Sequence, residues 1–160
     1  MRILSWMKMR SMTIPLFPLQ MVLFPSVPLP LHIFEERYRV MINQCMEDSD
    51  PFGVIYHRGS RMEHVGCTAT VNHVLNRYDD GRLDIMTVGV DRFRIEELDE
   101  SAAYLQARVT ILEDGSEPID QQLYEQAIEK LLAYSKMSDL DISPATLTGL
   151  NANQLSFLIA

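Results

Sequence analysis

Cysteine, lysine and tryptophan are scarce in this chain: two, three and one residue respectively among 160. Two cysteines cannot build a disulfide framework, and the usage suits a reducing compartment. No CxxC occurs, and His57, His64, Cys67 and His73 are spaced by 7, 3 and 6 residues, which matches no closed zinc site. No metal and no cofactor is expected. The three lysines, Lys8, Lys130 and Lys136, do not follow a glycine, so the phosphate-cradling GxxxxGK[ST] loop is absent. Basic residues are few in general: Lys+Arg 14 against Asp+Glu 22 gives a net charge of -8 and a pI near 4.9. That balance argues against a nucleic-acid binder, whose affinity rests largely on phosphate contacts.

Charge of either sign is missing altogether from Ser11 to Phe34. The segment is long and apolar enough to resemble a membrane span, but five of the eight prolines fall inside it: Pro15, Pro18, Pro25, Pro28 and Pro30. Each removes a backbone donor and disfavours helix in the preceding residue, and a helix so interrupted would leave polar groups unsatisfied in hydrocarbon. No signal peptide is expected either, because Lys8 and Arg10 interrupt the first twelve residues. The expectation is a soluble, cytoplasmic protein without a membrane partner.

What is present divides in two. Residues 1–112 hold 12 basic and 14 acidic side chains, and residues 113–160 hold 2 and 8. The change falls at Glu113-Asp114-Gly115-Ser116-Glu117-Pro118, a run of turn formers read as a linker. Before it, short strands dominate. Proline-cut pieces over Thr13–Phe24 suit edge strands or a β-arch, and Phe52–His57, Gly66–Tyr78, Arg82–Val90, Arg92–Leu98 and Tyr104–Leu112 read as strands. Asp79-Asp80-Gly81 marks a hairpin turn. Phe34–Glu47 is the exception: Phe34, Tyr38, Met41, Ile42 and Cys45 follow helical spacing.

After the linker the period becomes helical. Ile119, Leu123, Ala127, Ile128, Leu131 and Leu132 form one stripe, Ser143-Pro144 opens a second helical piece, and Asn151 caps a third. That last helix reaches Ala160 without a stop signal, so the helical region is expected to be incomplete.

The ordered pieces Ile14-Pro15-Leu16-Phe17-Pro18-Leu19, Val22-Leu23-Phe24-Pro25 and Pro28-Leu29-Pro30-Leu31-His32-Ile33-Phe34-Glu35-Glu36-Arg37-Tyr38 closely resemble the opening of the Lon protease N-terminal domain. Phe52-Gly53-Val54, Val65-Gly66-Cys67, Asp80-Gly81-Arg82, Val88-Gly89-Val90-Asp91-Arg92-Phe93-Arg94-Ile95 and Tyr104-Leu105 continue the resemblance in order. The resemblance implies an α+β fold: a PUA-like small β-barrel or folded sheet with one embedded helix at 13–112, then a partial helical bundle at 118–160. It implies a bacterial, non-enzymatic domain that recognises unfolded or client proteins, works beside a protease or chaperone, and takes part in a homo-oligomer. The ATPase and Ser–Lys peptidase motifs of Lon are missing from this chain. It is therefore expected to be stand-alone or truncated.

Pro28, Leu29, Leu31 and His32 are candidates for the lip of a client-binding groove, against the plainer reading of barrel core and rigid turns. Glu36, Arg37 and Arg39, with Glu35, are candidate polar partner contacts, against solvated ion pairs at a helix start. Adjacent carboxylates on a helix diverge, so no acid–base pair is read there. Cys45 falls on the apolar face of the helix and Cys67 in a strand-like segment, where buried thiols are usually inert. Arg58, Arg61, Arg77, Arg82, Arg92 and Arg94 would serve an RNA-binding PUA-like alternative, but acidic residues alternate with them. An oligomerisation or structural role is the other alternative.

Overall fold

The computed structural model describes residues 10–113, 120–138, 142, 144–147 and 149–159. It divides into two compact units, Met1–Glu113 and Asp114–Ala160. The linker read at 113–118 lies outside the described residues beyond Glu113, as do Ile119, Ser143 and the lysine at position 8.

The first unit contains strands β1 (Ser11–Leu19), β2 (Pro28–Ile33), β3 (Phe52–Arg58), β4 (Arg61–Met62), β5 (Val65–Arg77), β6 (Leu83–Asp99) and β7 (Gln106–Leu112). One helix, α1 (Glu36–Asp48), interrupts them. Antiparallel pairing runs β1–β7–β6–β5–β3, and a parallel β1–β3 pair, Leu16 against Gly53 to Leu19 against Tyr56, closes the circuit. β2 lies off this circuit, paired to the first part of β6, and β4 folds back on β3. The result is a mixed, sheet-dominated α+β fold whose closed circuit carries an extra strand and bulges, so it is not a clean barrel.

Two apolar clusters explain the chargeless opening. Ile14 and Leu16 of β1 and Ile55 of β3 pack with Phe93, Ala107 and Val109. Phe17 of β1 and Val54 of β3 face the other way, into a cluster with Tyr38, Met41 and Ile42 of α1. The parallel pair is thus covered on both faces, which forces a continuous apolar run instead of alternation. Phe52 and Phe93 are fully buried and anchor one cluster each.

β6 is one 17-residue strand, where two were expected with a break at Asp91. The ladder tolerates Asp91 because Thr68 Oγ1 accepts from its backbone N–H (3.0 Å) and donates to its carbonyl (3.2 Å), at a bulge between Cys67 and Ala69. β2 was not expected as a strand, since Pro28 and Pro30 cannot donate to a ladder. Among the described residues it pairs only with β6, the edge position that proline permits. α1 starts at Glu36 and buries Tyr38, Met41, Ile42 and Cys45, spaced at three to four residues. Phe34, assigned to that stripe, instead precedes the helix and is 59% exposed. Ser49, left-handed at φ 58, ends the helix by donating to the Cys45 carbonyl.

The second unit has α2 (Gln121–Met137), α3 (Pro144–Leu147) and α4 (Ala152–Ile159). Asp120 caps α2, accepting from the N–H groups of Gln122 and Leu123. Asn151 and Gln154 form a reciprocal capping pair at the start of α4 (2.8 and 2.9 Å). The α2 stripe is not a buried face: Leu123 is exposed and Ile128, Leu131 and Leu132 are half-buried. Among the described residues, no helix is long and apolar enough to cross a membrane.

Candidate functional site

The turn from β2 into α1 borders an open groove of about 400 Å³. Its walls come from four places: Phe17, Pro18 and Leu19 of β1; Leu31, His32 and Ile33 of β2; Phe34, Glu35, Arg37 and Tyr38 at the helix start; and His57 and Leu105 opposite. Leu31 and Leu19 pack on the larger core cluster from outside, so the floor is continuous with the core. Phe17 and Tyr38 meet beneath it as a tilted pair, ring centres 4.3 Å apart and planes at 46°, and Phe34 is exposed beside them.

Of the lip candidates, Leu31 and His32 line this groove. Pro28 is exposed further along β2 and does not line it. Leu29 is a correction: the strand places it in the core at 5% exposure, where it cannot meet a client. The two-residue alternation of β2 puts Leu29, Leu31 and Ile33 on one face, and the core cluster covers Leu29 while leaving Leu31 half-buried.

The polar candidates separate as well. Arg37 lines the groove; its guanidinium bonds Glu35 at 2.8 and 3.0 Å and lies 4.6 Å from the Tyr38 ring centre. Glu36 is exposed in the first helical turn, where the helix dipole favours an acid. Arg39 is a correction. It is half-buried and donates from Nη1 to the Asp80 carbonyl across the β5–β6 turn, while its Nε is buried without a partner among the described residues. It ties the helix to the hairpin and is not free for a partner. Gly81 at φ +85 permits this contact, since a Cβ there would stand 2.8 Å from Arg39 Nη1.

His32 is held in a small network. Its Nδ1 lies 2.6 Å from Asp84 Oδ1, and the Tyr78 hydroxyl donates to Asp84 Oδ2 at 2.7 Å. These bonds, His32 first, hold the Asp84 carboxyl below its usual range. Burial, opposed by Arg37, pushes the Tyr38 phenol up.

Sequence reasoning missed Phe17, Leu19, Tyr38, His57 and Leu105 as groove residues. They come from β1, α1, β3 and the residue before β7, far apart in sequence, and the fold brings them together. The signal that could have flagged Phe34 was its place between two acidic residues and a strand, two residues before the helix.

The remaining candidates stay apart. Among the described residues no group of three or more His, Cys, Asp or Glu could hold a metal ion. Cys67 is buried and His73 exposed on β5. Burial, then the nearby Asp50 and Asp48 charges, pushes the Cys45 thiol up to about 11, unsuited to nucleophilic work. Of the arginines considered for RNA, Arg61 pairs with Glu63 at 2.7 Å and Arg82 with Asp80 at 2.8 Å.

The family model described as the ATP-dependent protease La (LON) substrate-binding domain matches residues 13–160. A Lon protease of Parabacteroides distasonis is 32% identical over 111 residues, which are 64% of this chain and 13% of that protein. One from Anaeromyxobacter dehalogenans is 29% identical over 147 residues, 86% of this chain and 17% of that protein. The chain thus spans less than a fifth of the length of these two relatives. A crystal structure of a Lon N-terminal domain protein from Xanthomonas campestris superposes with a TM-score of 0.66 at 21% identity, covering 92% of this chain and 96% of that one. The N-terminal domain of a Mycobacterium avium complex Lon protease gives 0.64 at 19% identity, covering 80% and 70%. Both likenesses speak to the fold.

Proposed function

The chain belongs to the substrate-binding domain family of ATP-dependent protease La (Lon), and from that membership we propose that it is a non-enzymatic module that captures exposed apolar segments of unfolded client proteins. In this reading the β domain at 13–112 carries the binding surface and is followed by the helical region at 118–160. The module works in a bacterial cytoplasm and passes clients to a protease or chaperone partner. The observation that carries the reading is the apolar groove beside β2, open to solvent and rimmed by exposed Phe34.

The mechanism is burial without turnover. A client Leu or Phe side chain fully buried in the groove contributes roughly 1.5–3 kcal/mol. Millimolar affinity needs about 4.1 kcal/mol, so one side chain is not enough. Strand addition is a poor source of the remainder, because Pro28 and Pro30 on the open edge of β2 have no N–H to offer. Clients are therefore held by side chains at several weak points, which suits transient and sequence-tolerant capture.

The test is to titrate the protein with one client in its native form and in its reduced, alkylated, unfolded form. Preference for the unfolded form, reduced by Phe34→Ala, is expected. Equal binding to both forms, or binding to neither, rejects the reading. The same titration with single-stranded RNA at low salt examines the RNA alternative, and sedimentation examines self-association.

A further inference from the structure

Asp84 does not line the groove, yet it touches the residue at the groove's corner. It stands directly across the β2–β6 ladder from His32, and both of its carboxylate oxygens are engaged, one by His32 Nδ1 and one by the Tyr78 hydroxyl. The His32 ring is held on two further sides. It stacks on Phe34 at 5.9 Å and 23°, and meets the Tyr78 edge at 5.9 Å and 82°. His32 and Phe34 are both groove residues, so the orientation of the exposed rim depends on a ring that Asp84 fixes.

The anchor beneath is itself secured. The Arg82 guanidinium lies 4.8 Å from the Tyr78 ring centre and bonds Asp80 at 2.8 Å, and Arg39 of α1 reaches the Asp80 carbonyl. The same helix start supplies Glu35, Arg37 and Tyr38 to the groove. Two walls of the groove, the end of β2 and the start of α1, are thus fastened to one turn between β5 and β6.

We propose that Asp84 is a positioning residue for client capture: by holding His32 against Phe34 it keeps the groove rim in its open, binding shape. The proposal rests on the client-groove reading above. A purely structural role as a β2 fastener fits less well, because β2 already has a six-residue register with β6, and Thr87 Oγ1 donates to the Leu29 carbonyl at 2.8 Å. The two bonds of Asp84 fall near the end of that ladder, where the rim begins. An aspartate carboxyl is ionised at neutral pH, so both of its oxygens act as acceptors there.

The experiment compares the full chain with Asp84→Asn, Tyr78→Phe and Phe34→Ala. Affinity for an unfolded, alkylated client is measured alongside the urea midpoint and the imidazole ¹⁵N shifts of His32. An asparagine carries no charge and offers one acceptor oxygen and one NH2 donor, so one of the two contacts must reverse its direction or be lost. Asp84→Asn is expected to weaken client binding roughly three- to tenfold, as the carboxylate charge that strengthens both bonds is removed, with a shifted His32 signature and little change in the urea midpoint. Tyr78→Phe is expected to move the same readouts in the same direction by less.

Wild-type affinity in Asp84→Asn while Phe34→Ala loses binding overturns the proposal and leaves the groove reading standing. Wild-type affinity in all three variants overturns the groove reading and the proposal with it. If Asp84→Asn lowers the urea midpoint substantially, Tyr78→Phe decides: unchanged affinity with a displaced His32 signature refutes the positioning role.

Discussion

Replacing Gly89 by alanine tests how the proline-rich segment is seated. Gly89 lies in β6 where the segment crosses it; a Cβ built there would stand 2.2 Å from the Phe24 carbonyl oxygen and 3.2 Å from Cys67 Sγ. The same residue holds the segment by two backbone bonds, donating to the Val27 carbonyl at 3.0 Å and accepting from Ser26 N–H at 2.9 Å. The blocking atom is backbone, so no side-chain rotation relieves it. Overpacking of this kind costs about 1–3 kcal/mol, and lifting the segment loses two hydrogen bonds of about 0.5–1.5 kcal/mol each. Displacement would also loosen Leu23, which is 5% exposed in the core cluster. The expected loss is about 3 kcal/mol, read as a fall in the urea midpoint followed by circular dichroism. Where room exists, Gly to Ala stabilises by about 0.4–1 kcal/mol, so the sign is diagnostic. Gly59→Ala is the control: nothing stands within 4 Å of its Cβ, and only its φ of +63 resists, a cost of about 1–2 kcal/mol. A loss below 1 kcal/mol for Gly89→Ala would refute the close packing of segment on strand.

Two smaller perturbations follow. Asp120→Ala removes the acceptor for two N–H groups at the start of α2 and should cost about 1 kcal/mol, seen as reduced hydrogen-exchange protection in that helix; unchanged protection would count against the cap. The Cys45 thiol is pushed up to about 11 from an ordinary 9.0, so the fold favours its protonated form. Its contribution to stability should be complete below about pH 9 and lost as pH rises through about 11. Iodoacetamide should label Cys45 far more slowly in the native chain than in urea at pH 8, and equal rates would refute its burial.

Much of the local structure was legible. The spacing of Tyr38, Met41, Ile42 and Cys45 marks α1, because a helix buries residues three and four apart. Asp79-Asp80-Gly81 marks the turn through Gly81, whose φ is +85. Asn151 caps α4. β2 was hidden because proline argues against a strand until a neighbour accepts it at an edge. The continuity of β6 was hidden because Asp91 reads as a breaker, and its partner Thr68 lies 23 residues away in sequence. The groove was half legible: Leu31, His32 and Arg37 were singled out, whereas Leu29 and Arg39 have inward or internal roles.

Composition and order of residues alone determined that this chain has a β region followed by a helical one, that its uncharged proline-rich opening is no membrane helix, and that it resembles a substrate-recognition family. Those properties depend on local periodicity, backbone donors and residue order, which sequence records directly. Tertiary structure decided why the opening is uncharged: β1 and β3 pair in parallel between two apolar clusters, so both faces are covered. It also decided which apolar residues fill the core and which line the groove, since Leu29 and Leu31 differ only in what the surrounding strands and helix place over them. That choice depends on contacts between residues far apart in the chain.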